Sequence, residues 1–238
     1  MPKKKTAVAP SSNEAPKTTP LSWPRLTPLI PSFDLELRTV LGSEIVAIPK
    51  LFTATLCNTY LAFLQKSISL TTTPGKPKIG EAVRVNDRFQ ITDPEFAKTL
   101  WEQSGLKDVI GRKGEAMWGG EVVGLNPNIR IYRYRKGQFF DKHYDDSVSL
   151  SFGSPPVPCR TTWTLLIYIT GQSDGVVGGE TVFYTRPRRG QEVVVEPEKG
   201  LALLHKHGAD CMLHEGRLVS EDGGVGKWVL RSDLVVKL

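Results

Sequence analysis

Apolar residues recur along this chain with two different periods, and the change between them falls near residue 120. Before it the spacing is helical. In "TATLCNTYLAFLQKS", Leu56, Tyr60, Phe63 and Leu64 fall on one helical face, and Thr53 stands where an N-cap hydroxyl is needed. "DPEFAKTLWEQSG" (93–105) predicts a second helix, with Asp93 as cap, Pro94 at the first helical position and Gly105 as its close. Ahead of these, "EIVAIPKLF" (44–52) reads as a strand ending at Pro49, and "TTTPGKPKIG" (71–80) reads as a loop by its Pro and Gly content.

After residue 120 the pattern becomes short apolar runs separated by turn residues. The segments are "NIRIYRYRKG", "FFDKHYD", "RTTWTLLIYITG", "GGETVFYT", "QEVVVEPEKG", "LALLHKHG", "CMLHEGRLV" and "KWVLRSDLVVKL". About eight strands at roughly 8–14-residue spacing predict a jelly roll or barrel, with the helices packed on one outer face. The expected fold class is mainly β with flanking helices (α+β). Residues 1–32, rich in Pro, Ser, Thr and Lys and without apolar period, are expected to form a disordered tail. Residues 33–238 are expected to be one domain, with helical support over about 33–120 and the β core over about 121–238.

Composition narrows the classes. No apolar run reaches the roughly 18 residues of a membrane span, and "MPKKKTAVAPSSNEAPKTTP" lacks the apolar stretch of a secretory signal. Cys57, Cys159 and Cys211 are odd in number and far apart, which argues against a disulfide framework and for a reducing compartment. A cytoplasmic or nuclear protein, not secreted, is expected. Lys+Arg 31 against Asp+Glu 25 gives a net charge of +6, carried partly by Lys3, Lys4, Lys5, Lys17 and "TRPRRG" (185–190). Such an excess permits nucleic-acid binding but more often marks a solvated surface. "PKKK" can serve as a nuclear import signal, although short lysine runs are common.

The candidate chemistry lies in "FFDKHYDD". Alternate residues of a strand share a face, so His143 and Asp145 point the same way and Asp146 points the other. Two histidines and one carboxylate on one side of a metal make the facial triad of non-haem iron oxygenases. His214 in "CMLHEG" is the better third ligand. His205 and His207, paired in "LLHKHG", can also be ligands, but solvated or core-satisfied histidines are commoner.

The blocks "RIYRYRKGQFFDKHYDDS", "TLLIYITG", "VGGETVFY", "VEPEKGLALLHKHG", "MLHEG" and "KWVLRSDLVV" occur in this order. Together they resemble the prolyl 4-hydroxylase-like branch of the Fe(II)/2-oxoglutarate-dependent dioxygenases, over about residues 125–238. The resemblance implies a double-stranded β-helix (jelly-roll, cupin-like) core with His143, Asp145 and His214 as iron ligands. It implies Fe(II), 2-oxoglutarate and O2 as cofactors, with ascorbate as a further one. A cation on the last strand would anchor the distal carboxylate of 2-oxoglutarate. Arg231 and Lys227 both qualify, four apart on one face; a guanidinium fork favours Arg231, with Lys227 second. Tyr134 matches the family's co-substrate tyrosine, and Leu165, Ile167 and Thr181 match pocket walls. Gly178 and Gly179 read as a bulge or a close backbone approach.

The implied reaction is oxidative decarboxylation of 2-oxoglutarate to succinate and CO2, coupled to hydroxylation of a C–H bond. A prolyl residue of a protein is the nearest family-based substrate; a small molecule stays open. Asn86, Asp87 and Arg88 can line the substrate mouth, with Arg88 singled out, or can cap the following helix. Two alternatives stand beside this reading. The charge allows an AlkB-type nucleic-acid demethylase, which would need a basic groove to receive a flipped base. A non-catalytic cupin-like binding module is the other, and the intact metal set argues against it.

Overall fold

A computed structural model describes residues 21–73, 75, 82–186 and 190–238. The first part of the chain supplies β1 (Arg38–Leu41), β2 (Ile45–Ile48), α1 (Ala54–Ser67), β3 (Thr71–Thr72), β4 (Arg84–Val85) and β5 (Asp87–Thr92). Helices α2 (Pro94–Gln103), α3 (Leu106–Gly111) and α4 (Glu115–Trp118) follow. Then come β6 (Val122–Leu125), β7 (Asn128–Tyr134), β8 (Phe139–His143), β9 (Ser149–Phe152), β10 (Val157–Tyr168) and β11 (Val176–Gly178). The chain closes with β12 (Thr181–Tyr184), β13 (Glu192–Val195), β14 (Ala202–Lys206), β15 (Leu213–Gly216), β16 (Val219–Asp222) and β17 (Lys227–Lys237).

The helix signals act as the spacing requires. The Thr53 hydroxyl accepts from the Leu56 amide at 3.2 Å, and Asp93 accepts from the Phe96 amide at 2.9 Å. Gly105 does not simply end α2. It takes a left-handed φ of 88° and starts α3, so the helical layer runs further than the periodicity of residues 93–105 indicates.

The described strands form two antiparallel layers and a separate two-stranded sheet of β11 and β16. The larger sheet runs β1-β2-β14-β10-β17-β7-β5-β3, with β6 also on β17 and β9 also on β10. The smaller runs β13-β12-β15-β8-β4. Strand alternation divides the core in two. Trp163, Leu165, Ile167, Leu204, Trp228 and Leu230 face the helices. Tyr132, Tyr134, Tyr168, Phe183, Leu203 and Val229 face the space between the sheets.

Two expectations change. Of the expected tail, residues 1–32, residues 1–20 lie outside the described residues, whereas 21–32 pack on the helices. Trp23 stacks on Phe96 at 3.9 Å between ring centroids and donates to Asp93 at 2.8 Å, and Leu26 is buried. Trp23, Leu26, Leu29 and Ile30 anchor this irregular segment to the core. Leu165 and Ile167 are not pocket walls but belong to the helix-facing core. Thr164, Leu166 and Tyr168, one residue out of phase, face the cavity instead. A period-two element turns a one-residue slip into the opposite face. The lysine-rich "PKKK" and part of "TRPRRG" also fall outside the described residues.

Candidate metal centre and co-substrate pocket

His143 closes β8 and His214 lies in β15, and the two are directly opposite in the pairing of these strands. The register therefore brings together residues 71 positions apart (214 − 143). Asp145 lies two residues beyond β8 and still points inward: it is buried, while Asp146 is exposed. The side chains of His143, Asp145 and His214 bring one donor atom each within 4.8 Å of one another. His143 Nε2 is 3.9 Å from Asp145 Oδ1, and His214 Nε2 is 3.6 Å from Oδ2.

Both imidazoles are oriented from behind. The Nδ1 atom of His143 lies 2.7 Å from the carbonyl oxygen of Asp141, and that of His214 lies 2.9 Å from the carbonyl oxygen of Met212. A carbonyl only accepts, so each Nδ1 carries the proton and each Nε2 is turned to the carboxylate, the arrangement that prepares a histidine for a metal. Phe140 stacks on His143 at 3.6 Å and fixes its plane. Cys211 Sγ lies near His214 and accepts from the Asp145 amide at 3.2 Å, holding the turn that presents the carboxylate.

The charge balance fits a cation. Burial would raise the Asp145 carboxyl, but Arg231 and then His214 hold it well below the usual range, so it is an anion in the interior. Burial, then repulsion from His214, lowers His143 to about 3, which keeps it neutral. Burial also opposes charge on His214, but hydrogen bonding to Asp145 and Cys211 wins and raises it to about 9. In the absence of metal, one proton thus occupies the space between His214 and Asp145, where a metal would displace it. Two neutral-capable imidazoles and one carboxylate are the donor set that iron(II) takes in a facial triad.

Beside this centre lies a cavity between the sheets. Lys227, Tyr134, Tyr168 and Thr181 face it together, with Arg231 on the metal side. The two cations differ. Arg231 donates to Asp145 at 3.0 Å and lies 3.4 Å from Asp233. Lys227 is 4% exposed and bonds the Gly179 carbonyl, and its Nζ sits 5.2 Å and 5.5 Å from the ring centres of Tyr134 and Tyr168. No carboxylate among the described residues is within ion-pair distance of it. Burial lowers its amine to about 8, with Glu180 only partly offsetting. A buried lysine without an anion is uncommon, and this one lines the cavity. Gly179, at φ 71°, lets the lysine stem pass, since a Cβ there would lie 3.1 Å from Lys227 Cδ.

Residues 129–232 match the sequence model of the 2OG-Fe(II) oxygenase superfamily. Over these residues the chain is similar to the 2OG-Fe(II) oxygenases. The match spans Tyr134, His143, Asp145, Thr181, His214, Lys227 and Arg231 and stops one residue short of Asp233. Comparison with curated protein sequences gives no match. Among solved structures, a viral collagen prolyl hydroxylase from Paramecium Bursaria Chlorella virus-1 superposes with TM-score 0.53 at 16% identity, covering 82% of this chain and 97% of that one. A Pseudomonas putida prolyl-4-hydroxylase gives 0.54 at 12% identity, covering 82% and 94%. A Trichoplax adhaerens prolyl hydroxylase, in complex with a hypoxia inducible factor peptide fragment, gives 0.57 at 14% identity, covering 81% and 84%. At these identities the likeness is one of fold, the double-stranded β-helix. Iron(II), 2-oxoglutarate and O2 are the cofactors of the family.

The other expected residues are distributed as follows. Tyr134 and Thr181 face the cavity, the Thr181 hydroxyl sharing a 2.7 Å hydrogen bond with Tyr168. Arg88 is not in the site; it bonds Gln90 at 2.9 Å and lies beside Thr71 and Thr72 on the edge of the larger sheet. Asp87 is the engaged member of that block, accepting from Arg133 at 2.7 Å. His207 is satisfied by the hydroxyls of Thr161 and Thr164. Thr164, which the motifs do not single out, also belongs to the site: its hydroxyl donates to Asp145 Oδ2 at 2.9 Å. Alternation with Leu166 and Tyr168 was the signal that could have found it.

Proposed function

We propose that the chain hydroxylates a prolyl residue in an extended protein segment, with His143, Asp145 and His214 holding iron(II) and Lys227 anchoring 2-oxoglutarate. The observation that carries the anchor assignment is Lys227, buried on the cavity wall with no carboxylate among the described residues within ion-pair distance. Arg231, favoured for its fork, is already held by two carboxylates.

Iron, when bound, supplies oxygen activation driven by decarboxylation of the co-substrate. The chain's own residues bind, orient and exclude water. Lys227 neutralises the distal carboxylate, and the Tyr134 hydroxyl, which burial holds in its protonated form, is a donor beside it. Thr181 and Tyr168 close the pocket end. Arg231 and Thr164 each donate to Asp145 and fix which carboxylate oxygen faces which imidazole. No side-chain general base is required.

A prolyl substrate is supported by the fold shared with three prolyl hydroxylases, one of them bound to a peptide. The site agrees with it: Phe140, with Arg84 over its ring at 4.9 Å, lines the cavity and stacks on His143. A flat apolar ring beside the metal centre suits a pyrrolidine. A library of proline-containing peptides, incubated with the protein, Fe(II), 2-oxoglutarate and O2, should yield peptides carrying one added oxygen on proline. Oxygen added only to other residues, or only to a nucleobase, would refute the substrate assignment. A cytoplasmic or nuclear location is part of the same proposal.

A further inference from the structure

His205 has no part in the reading above, yet its surroundings give it one. Strand β14 turns Ala202 and Leu204 to the helices and Leu203 and His205 to the space between the sheets. His205 is 2% exposed. Its Nδ1 lies 3.1 Å from the carbonyl oxygen of Lys206, so Nδ1 carries the proton and Nε2 a lone pair. That Nε2 has no hydrogen-bond partner among the described residues.

The same set-up distinguishes the two triad histidines: Nδ1 tied to a backbone carbonyl, Nε2 aimed at Asp145. The distances agree as well. Nε2 to the nearest Asp145 oxygen is 3.8 Å for His205, against 3.6 Å for His214 and 3.9 Å for His143. The His205 and His214 rings lie 4.6 Å apart, tilted by 58°. A lone pair facing a carboxylate oxygen in the interior is unfavourable unless a cation stands between them. His207, two residues on, shows the contrast, since both of its nitrogens are bonded.

We propose that His205 is a fourth protein ligand of the metal in the 2-oxoglutarate-free protein, giving a set of three histidines and one carboxylate. The inference rests on the metal-centre reading above. It concerns the state before the co-substrate arrives, because a bidentate co-substrate and O2 together need the positions that a triad leaves open.

The test uses the full chain loaded with Cu(II) without 2-oxoglutarate, and pulsed electron paramagnetic resonance to count coordinated imidazoles. Wild type should show three. His205→Phe, which packs beside Phe183, and the more nearly isosteric His205→Gln should each show two. Mn(II) affinity, measured by chelator competition, should fall about tenfold or more in both variants. Two imidazoles in wild type, with unchanged Mn(II) affinity in the variants, would overturn the proposal while leaving the triad intact. A wild-type protein that binds neither metal would defeat the metal-centre reading and this inference with it. The wild-type count stands even where a variant does not fold.

Discussion

Arg231 donates from Nη1 to Oδ1 of Asp145 at 3.0 Å, tying a cation of the last strand to the proposed iron ligand. Both side chains are nearly buried, at 11% and 9% exposure. Removing one member of such a pair leaves the other charge uncompensated. Arg231→Met is expected to lower stability by about 3 kcal/mol and to weaken metal binding, because Asp145 loses the contact that orients it. Denaturant melts and Mn(II) titration check this; a variant of wild-type stability and metal affinity would contradict it.

Lys227 should behave in the opposite way. Lys227→Met is expected to weaken 2-oxoglutarate binding about 10- to 100-fold, with metal affinity unchanged, since a charge-assisted bond is lost. Isothermal titration of the Mn(II)-loaded protein separates the two constants. Weakened co-substrate binding in Arg231→Met alone would restore the arginine as anchor.

The same lysine gives a pH signature. Its folded value of about 8 lies below that of a free lysine. Only the ammonium pairs with a carboxylate, so 2-oxoglutarate affinity should decline as pH rises through about 8. The stability term of the co-substrate-free protein runs the other way. Above about 8 the unfolded chain still holds the proton that the folded chain has lost, so stability rises until the unfolded lysine titrates too. Both trends are read as differences between wild type and Lys227→Met across pH 7 to 10; parallel profiles would show that Lys227 causes neither.

The two neighbouring acids offer an internal control. Asp145→Asn should weaken metal binding strongly, whereas Asp146→Asn, an exposed position, should leave it unchanged. Equal effects of the two substitutions would mean that the carboxylate ligand is misassigned.

Trp23 tests the packed segment before the domain. It stacks on Phe96 and bonds Asp93, which caps α2. Trp23→Ala is expected to destabilise by about 2 kcal/mol without changing metal affinity. A melting temperature equal to that of wild type would indicate that residues 21–32 are not anchored in solution.

These residues also mark how far the chain could be read unaided. His143 and Asp145 follow from strand parity, and His214 from its place in a late strand. The choice between Lys227 and Arg231 does not, because both sit on one face of β17 and only the folded protein shows Asp145 and Asp233 beside the second. Leu165 and Ile167 were assigned one residue out of phase in a strand apolar on both faces, where alternation carries little signal. Trp23 and Leu26 lie in a segment without periodicity, and His205 is visible as a histidine but not as one whose Nε2 lacks a hydrogen-bond partner among the described residues.

The central claim is that this chain holds a metal through His143, Asp145 and His214, and 2-oxoglutarate beside it. Calorimetric titration of 2-oxoglutarate into the full chain, with and without Mn(II), tests it most directly. Saturable binding that requires the metal, and is lost in His143→Ala and His214→Ala variants that remain folded, is the predicted result. Binding that is indifferent to the metal, or absent from the metal-loaded wild type, would contradict the account.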